Sequence, residues 1–346
     1  MTLRKSLILF FICFAFNIFS QEVKVKTDTL TIAFWNMENL FDTIDDLDKN
    51  DNEFTPDGAK KWTNKRLLHK LENMSAVIKM MGSNGGPDIL GMCEVEHQTL
   101  VDMMLSKFLK EKNYGVAYKE SPDKRGIDNG LIYNKDEFSL ISVEAILVEL
   151  PTHYPTRDIL QVLLKAKNND SIYVFVNHWP SRSGGQLKSE KNRFQAALTL
   201  KNQIEELLSI NSNLNILVMG DFNDTPTDRS FIEILKAEPV QNYLMKNADS
   251  SKVILYNLSY ENAIKGNGTY KYRKQWNMLD QFLITKNMFL EKGITYLLGS
   301  FQIFSTNMIV EKTGKYKGSP FRTFGGENYL GGYSDHFPIL AKFILN

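Results

Sequence analysis

Residues 215–226 read NILVMGDFNDTP. Four apolar residues, Ile216, Leu217, Val218 and Met219, stop at Gly220 and deliver Asp221 and Asn223. This is the pattern of a buried strand that presents polar side chains where it ends, and in an α/β fold that edge is where ligands bind. Their alternate spacing points Asp221 and Asn223 the same way on an extended chain and turns Phe222 back into the core. A carboxylate beside a carboxamide can hold a metal ion, a water or a phosphate oxygen. The same string also reads as an Asx-rich turn leading to a helix N-cap, and the stretch alone leaves the two readings level.

The pattern recurs along the chain. Residues 29–35 alternate and are rich in β-formers, which predicts a strand delivering Asn36 and Glu38 from one side. Residues 87–95 form an apolar run with Glu94 and Glu96 near its end, and residues 172–176 lead into Asn177 and His178. A strand over 278–284 carries Asp280, and the last strand, 338–344, is preceded by Ser334, Asp335 and His336. If these ends meet, they make an acidic pocket with two imidazoles and two amides, lying between sheets. Repulsion inside such a cluster calls for a cation, and oxygen ligands from Asp, Glu and Asn favour Mg²⁺, Mn²⁺ or Ca²⁺ over zinc.

Between these points the spacing predicts helices over 64–81, 97–112, 187–208 and 228–237, and further strands over 131–133, 138–150, 159–167 and 171–177. Residues 42–58 are an acidic loop whose DxDxND pieces match a calcium loop only in part, so a solvated loop is expected. Lys188, Lys191 and Arg193 on the third helix read as a solvated basic side. His69, His97 and His153 read as structural or solvated.

The first 20 residues, with Arg4 and Lys5 ahead of an apolar run and Ser20 at its end, have the plan of a secretory signal, too short for a convincing membrane span. Cys13 lies inside that run, so the mature chain keeps only Cys93, a buried core residue by its apolar surroundings, and has no internal disulfide. Removing Arg4 and Lys5 leaves 39 basic against 40 acidic residues, a net charge of −1. That balance gives no help to nonspecific nucleic-acid binding, which usually goes with a basic protein. No linker or repeat divides residues 21–346, so one large domain is expected.

WNMEN, CEVE, GIDN, NHWPSR, GDFND, LDQF and SDHFP, in this order across residues 29–343, resemble the endonuclease/exonuclease/phosphatase superfamily, whose relatives include deoxyribonuclease I, apurinic endonucleases, inositol-phosphate phosphatases and secreted sphingomyelinases. The resemblance implies an α/β four-layer sandwich, two packed mixed β-sheets flanked by helices, with the site at one edge. It implies Glu94 as the principal metal ligand, with Asn36, Glu38 and Asp335 near the same ion. Asp221 and Asn223 would position and polarise the attacking water, His336 would pair with Asp280, and His178 would contact a phosphate oxygen. Arg157, in PTRD, resembles the family's phosphate-binding arginine, and Asp128 is the carboxylate expected to orient His178. Either Asp221 or His336 would take the proton from water.

The function so implied is a secreted or periplasmic phosphodiesterase dependent on Mg²⁺ (or Mn²⁺ or Ca²⁺), monomeric, with nucleic acid as substrate and no stable protein partner. Cations interleaved with aromatics suit single strands: Lys271, Arg273 and Lys274 stand beside Tyr270, Tyr272 and Trp276, with Lys312, Lys315, Lys317 and Arg322 further on. Residues 270–276 read equally as an edge strand. A phosphatase or phospholipid phosphodiesterase of the same fold is the alternative, and 301–309 is its candidate membrane-contacting hairpin. The further alternative, a non-catalytic binding protein, is opposed by the presence of every expected ligand and histidine.

Overall fold

The computed structural model describes residues 28–83, 85–245 and 254–346; the expected signal segment lies outside the described residues. The apolar runs of the sequence become strands β1 (Asp28–Leu40), β2 (Ile89–Val95), β3 (Tyr114–Tyr118), β4 (Asp128–Asn134), β5 (Phe138–Ile146), β6 (Ile159–Ala166), β7 (Ser171–His178) and β8 (Asn215–Asp221). Shorter pieces follow: β9 (Glu238–Pro239), β10 (Leu255–Asn257), β11 (Tyr270–Tyr272) and β12 (Gln275–Asn277). The chain closes with β13 (Asp280–Thr285), β14 (Ile294–Tyr296), β15 (Gln302–Ile303), β16 (Phe324–Gly325), β17 (Asn328–Tyr329) and β18 (Ile339–Leu345).

One mixed sheet runs β14-β18-β1-β2-β4-β3, with β15 also on β18, and the other runs β5-β6-β7-β8-β13-β10-β9. Period-two alternation sorts their side chains into layers. Ile32 and Phe34 of β1 meet Leu217 and Met219 of β8 in the core between the sheets. Ala33 and Trp35 face outward onto helices α1 (Asn64–Met80) and α2 (Gln98–Phe108). Ile216 and Val218 of β8 pack outward on Ala196, Leu200 and Ile204 of α3 (Gln186–Ile210). The result is the expected four-layer sandwich. Its sheets approach closely at Gly91, where a Cβ would lie 2.3 Å from Met219 Sδ. Cys93 is buried in this core, as its apolar run predicts.

The topology puts the chemistry at one edge. Parallel neighbours need a crossover; α1 serves β1 and β2, and α3 serves β7 and β8. Both pairs therefore release their C-terminal ends on the same side. Antiparallel β13 begins there too, with Asp280 opposite Asp221. β18 runs against β1 from Ile339 opposite Phe34, which brings the preceding Asp335 and His336 to the end of β1.

The predicted helices form with shifted ends, except that 228–237 shrinks to one wide turn at Ser230–Leu235 and 97–112 stops at Phe108. Strand β3 is absent from the sequence reading because Tyr114–Tyr118 has a glycine, Gly115, as its second residue and little alternation; a Cβ there would strike the Tyr133 ring at 2.3 Å. The acidic loop is less solvated than expected, for Asp51 and Phe54 are buried within it. Residues 301–309 make no membrane hairpin: β15 pairs with β18, Phe301 packs edge-on against Phe282, and Ile309 is buried. Residues 270–276 are instead a β11–β12 hairpin whose turn holds Arg273 and Lys274 at φ +46° and +70°, the left-handed pair that suits a two-residue hairpin.

Candidate active site

At the converging strand ends the backbone turns left-handed without glycine. Glu38, Asn39, Glu94 and Asn223 have φ between +46° and +60°. Such residues cost about 1–3 kcal/mol each and persist where their surroundings hold them. Here side chains of the cluster do the holding: Glu38 N donates to Asn36 Oδ1 (2.8 Å), Asn39 N to Glu94 Oε2 (2.8 Å) and Asn223 N to Asp221 Oδ1 (3.0 Å).

This turn separates Asn36 from Glu38, contrary to their expected projection from one side, because the β1–β2 register shifts between Asn36 and Leu40. The Glu38 carboxylate accepts from the amides of Thr323 (2.6 Å) and Phe324 (3.4 Å). The Lys70 ammonium donates to the Glu38 carbonyl (2.8 Å) and to Thr323 Oγ1 (2.6 Å). Burial, then Asp335, pushes the Glu38 carboxyl up to about 7. Glu38 thus fastens the 323–324 loop to β1, whereas the resemblance expects it beside the ion.

Asp221, 2% exposed, is the centre of the cluster. Asn36 Nδ2 donates to its Oδ2 (3.1 Å) and to Glu94 Oε1 (3.2 Å). His178 Nε2 lies 3.8 Å from Asp221 Oδ2 and 3.7 Å from Glu94 Oε1, and His336 Nε2 reaches within 3.8 Å of the same Asp221 oxygen. His336 Nδ1 is hydrogen-bonded to Asp280 Oδ2 (2.7 Å), which also accepts from the Thr269 hydroxyl. The Tyr270 ring stacks on the His336 imidazole, centroids 4.8 Å apart.

The two imidazoles are driven in opposite directions. Burial opposes the His336 proton, yet Asp280 and Asp221 outweigh it and hold the group well above its ordinary value. Burial, then Arg157, drives His178 well below, so it is neutral. Burial lifts Asp221 to about 6, with His336 pulling the other way, and burial also raises Asp335.

The expected partner of His178 is not Asp128. That carboxylate accepts from the Tyr118 hydroxyl (3.0 Å) and the Ser121 amide (2.9 Å), and among the described residues His178 Nδ1 has no hydrogen-bond partner. Arg157 is not a free phosphate ligand: it is buried, with Nη1 on Asp123 Oδ2 (3.1 Å) and Nη2 on the Trp179 carbonyl (2.8 Å). The same carbonyl accepts from Asn223 Nδ2 (3.0 Å), so Arg157 and Asn223 are joined through one oxygen. Arg193 is also buried, 2.6 Å from Asp224, and not part of a solvated side.

Lys70, Thr269 and Arg182 enter the site unannounced. Lys70 had a signal, for it falls on the apolar face of α1, three residues after Leu67 and four before Met74. Arg182 closes the NHWPSR string and donates from Nε to the Asn223 carbonyl (2.7 Å). Thr269 had none, since only the β8–β13 pairing and the hairpin bring it to Asp280.

The donor set fits a hard divalent cation. The buried carboxylate of Asp221 and the half-buried ones of Glu94 and Asp335 act electrostatically on one another, and oxygen donors of this kind suit Mg²⁺, Mn²⁺ or Ca²⁺. Ligating atoms of Asp221, Asp280 and His336 lie within 4.8 Å of one another, but the last two are engaged with each other. Asn36 turns its nitrogen to the acids and its oxygen to the Glu38 amide, so it orients Glu94 and Asp221. Asp42, Glu96 and His97 form a second such group, already tied up by the Asp42 amide on Glu96 (2.6 Å) and by His97 with Glu120 (3.0 Å).

No curated protein matches the sequence. Solved structures share the fold at low identity. The human Nocturnin catalytic domain is 15% identical over 92% of this chain and 95% of its own, with a TM-score of 0.52. The mannosyl-6-phosphatase Bt3783 of Bacteroides thetaiotaomicron is 17% identical over 91% and 100%, TM-score 0.55. TDP2 of D. rerio, complexed with a single-strand DNA product, is 15% identical over 91% and 98%, TM-score 0.52. The sequence profile of the Endonuclease/Exonuclease/phosphatase family matches residues 31–344, almost all of the described chain. The chain belongs to that family.

Proposed function

We propose that this protein is a divalent-metal-dependent phosphodiesterase that hydrolyses DNA or RNA. The observation that carries the reading is the Asp221 carboxylate set between two imidazoles in opposite protonation states. Phosphodiester hydrolysis needs a base for water, cationic donors for the phosphoryl oxygens and a positioned nucleophile. Asp221, raised to about 6 by burial, is ionised at neutral pH and basic enough to take the proton of water. Asn223, its nitrogen engaged by the Trp179 carbonyl, presents its side-chain oxygen to orient that water. The water oxygen bonds to phosphorus, its proton passes to Asp221, and the ester oxygen leaves.

His336, kept protonated by Asp280, is unsuited as the base and serves as a cationic donor to the phosphate. Neutral His178 offers its Nε2 to a second oxygen. Arg157 acts through the Trp179 carbonyl as a positioning residue. When bound by Glu94 and Asp335, a Mg²⁺, Mn²⁺ or Ca²⁺ ion supplies further neutralisation of phosphate charge. Nucleic acid is favoured as substrate by the basic and aromatic side chains that continue outward from His336 through Tyr270. The N-terminal segment directs export; among the described residues no helix is long and apolar enough to cross a membrane.

The test is a substrate panel of plasmid DNA, RNA, sphingomyelin and a phosphomonoester, each in Mg²⁺ and in EDTA. Cleavage of nucleic acid in Mg²⁺ alone is expected, and Asn223→Ala or His336→Ala should lower it by about 10²–10⁴. Full activity in those two variants would overturn the site. Turnover confined to the phosphomonoester would make the protein a phosphatase, as the named activity of the Bacteroides neighbour suggests.

A further inference from the structure

The β11–β12 hairpin and the 312–322 loop, far apart in sequence, close around one cavity of about 480 Å³. Five cations line it: Lys271, Arg273, Lys274, Lys315 and Arg322. No carboxylate lines it, and among the described residues none of the five is ion-paired to one. Like charges gathered in one cavity repel, and an anionic ligand relieves that repulsion. The remaining surface is chiefly tyrosine. Arg273 sits 5.2 Å over the Tyr272 ring, and Lys315 and Arg322 sit 5.5 and 5.7 Å over Tyr316. Both rings are more than half exposed, so each leaves π-surface for a ligand.

Tyr270 also lines the cavity, and its ring is the one stacked on His336. A single ring therefore separates the cavity from the hydrolytic cluster. The ligand thus carries negative charge, a flat π-face and a link to the group being hydrolysed. An anionic lipid surface would meet aliphatic side chains, and the lining contains none.

We propose that this cavity is the subsite for the nucleotide flanking the scissile phosphate, and that it takes an unpaired base, so that the enzyme acts on single-stranded segments. The inference rests on the nucleic-acid reading above. The base stacks on Tyr272 or Tyr316, and its phosphate is held by Arg273, Lys315 and Arg322. In a duplex the base faces are stacked on one another and unavailable to the tyrosines.

The experiment compares Tyr272→Ala and the double variant Arg273→Ala/Lys315→Ala with the parent on three substrates: a short single-stranded oligonucleotide, the duplex of the same sequence, and bis(p-nitrophenyl) phosphate, which has no flanking nucleotide. The parent should prefer the single strand. Tyr272→Ala should raise KM for it by about tenfold, the effect of losing one stacked base, with little change in kcat. The double variant should also show a shallower salt dependence of binding, by about one unit for each lost phosphate contact. Turnover of bis(p-nitrophenyl) phosphate should scarcely move, and circular dichroism melts check folding. Equal oligonucleotide kinetics in parent and variants overturns the inference and leaves the nuclease reading standing. No oligonucleotide turnover in the parent overturns both. Loss of binding to anionic phospholipid vesicles, with oligonucleotide cleavage intact, assigns the cavity to a lipid surface and overturns the inference.

Discussion

Replacing Arg193 by methionine removes, among the described residues, the one cation that is fully buried against Asp224. The Arg193 side chain has no exposure, and its Nε lies 2.6 Å from Asp224 Oδ1 as an ion pair. Nη1 donates to Ser189 Oγ (2.8 Å) and Nη2 to the Gln186 carbonyl (3.0 Å). Breaking a buried pair from one side leaves the other charge uncompensated and costs about 3–5 kcal/mol. The lower end is expected, because Arg182 remains 3.5 Å from Asp224. Burial holds Asp224 up at about 6, with Arg193 pulling it down, so the variant raises that carboxyl further. Below that higher pKa the acid is neutral and needs no partner. The deficit of Arg193→Met should therefore be largest at pH 8 and shrink toward pH 5. Urea unfolding followed by tryptophan fluorescence at both pH values measures it, and adding Asp224→Asn should recover part of the loss. A deficit below about 1 kcal/mol, well short of the buried-pair range, or one independent of pH, would refute the reasoning.

Gly220→Ala would place a Cβ 2.2 Å from the Asn177 carbonyl oxygen, forcing β7 and β8 apart just before His178 and Asp221. Stability should fall by about 1–3 kcal/mol and activity with it, whereas Gly91→Ala, which meets the movable Met219 side chain, should cost less in the same unfolding assay. Burial raises Asp128 to about 7, so between the ordinary carboxylate range and about 7 the folded state holds a proton the unfolded state has lost, and stability falls as pH rises through that window. Asp128→Asn should flatten that part of the stability profile by about 1–3 kcal/mol, and an unchanged slope would refute the assignment. Mg²⁺ at a hundred times its Kd should stabilise the fold by about 2.7 kcal/mol, reversibly with EDTA; an equal shift in Glu94→Gln would remove Glu94 from the metal site.

The strand ends were legible because each combines a buried apolar run with a polar stop, and both signals are local. Glu94, His178, Asp221 and Asn223 could be found from that pattern, and so could the pairing partners Asp280 and His336 once the order of the strings suggested the family. What failed were readings that assumed a regular backbone or a surface. Asn36 and Glu38 were expected on one side, and the left-handed turn at Glu38 and Asn39 sends them to different neighbours. Arg193 reads as a solvated cation, since arginine is usually exposed, and Arg157 as a phosphate ligand, but carboxylates and carbonyls remote in sequence meet both in the interior.

The sequence by itself determined most of the long strands and helices and the residue types at the converging strand ends, because burial and periodicity act over a few neighbouring positions, while the four layers followed from the family resemblance. Only the tertiary structure set the two imidazoles apart, since Asp280 lies 2.7 Å from His336 and raises it while burial, then Arg157, lowers His178. It also decided that two basic, tyrosine-bearing segments more than forty residues apart form a single cavity beside His336. Electrostatic effects of this kind depend on distance through space and on burial, and neither is encoded in local spacing.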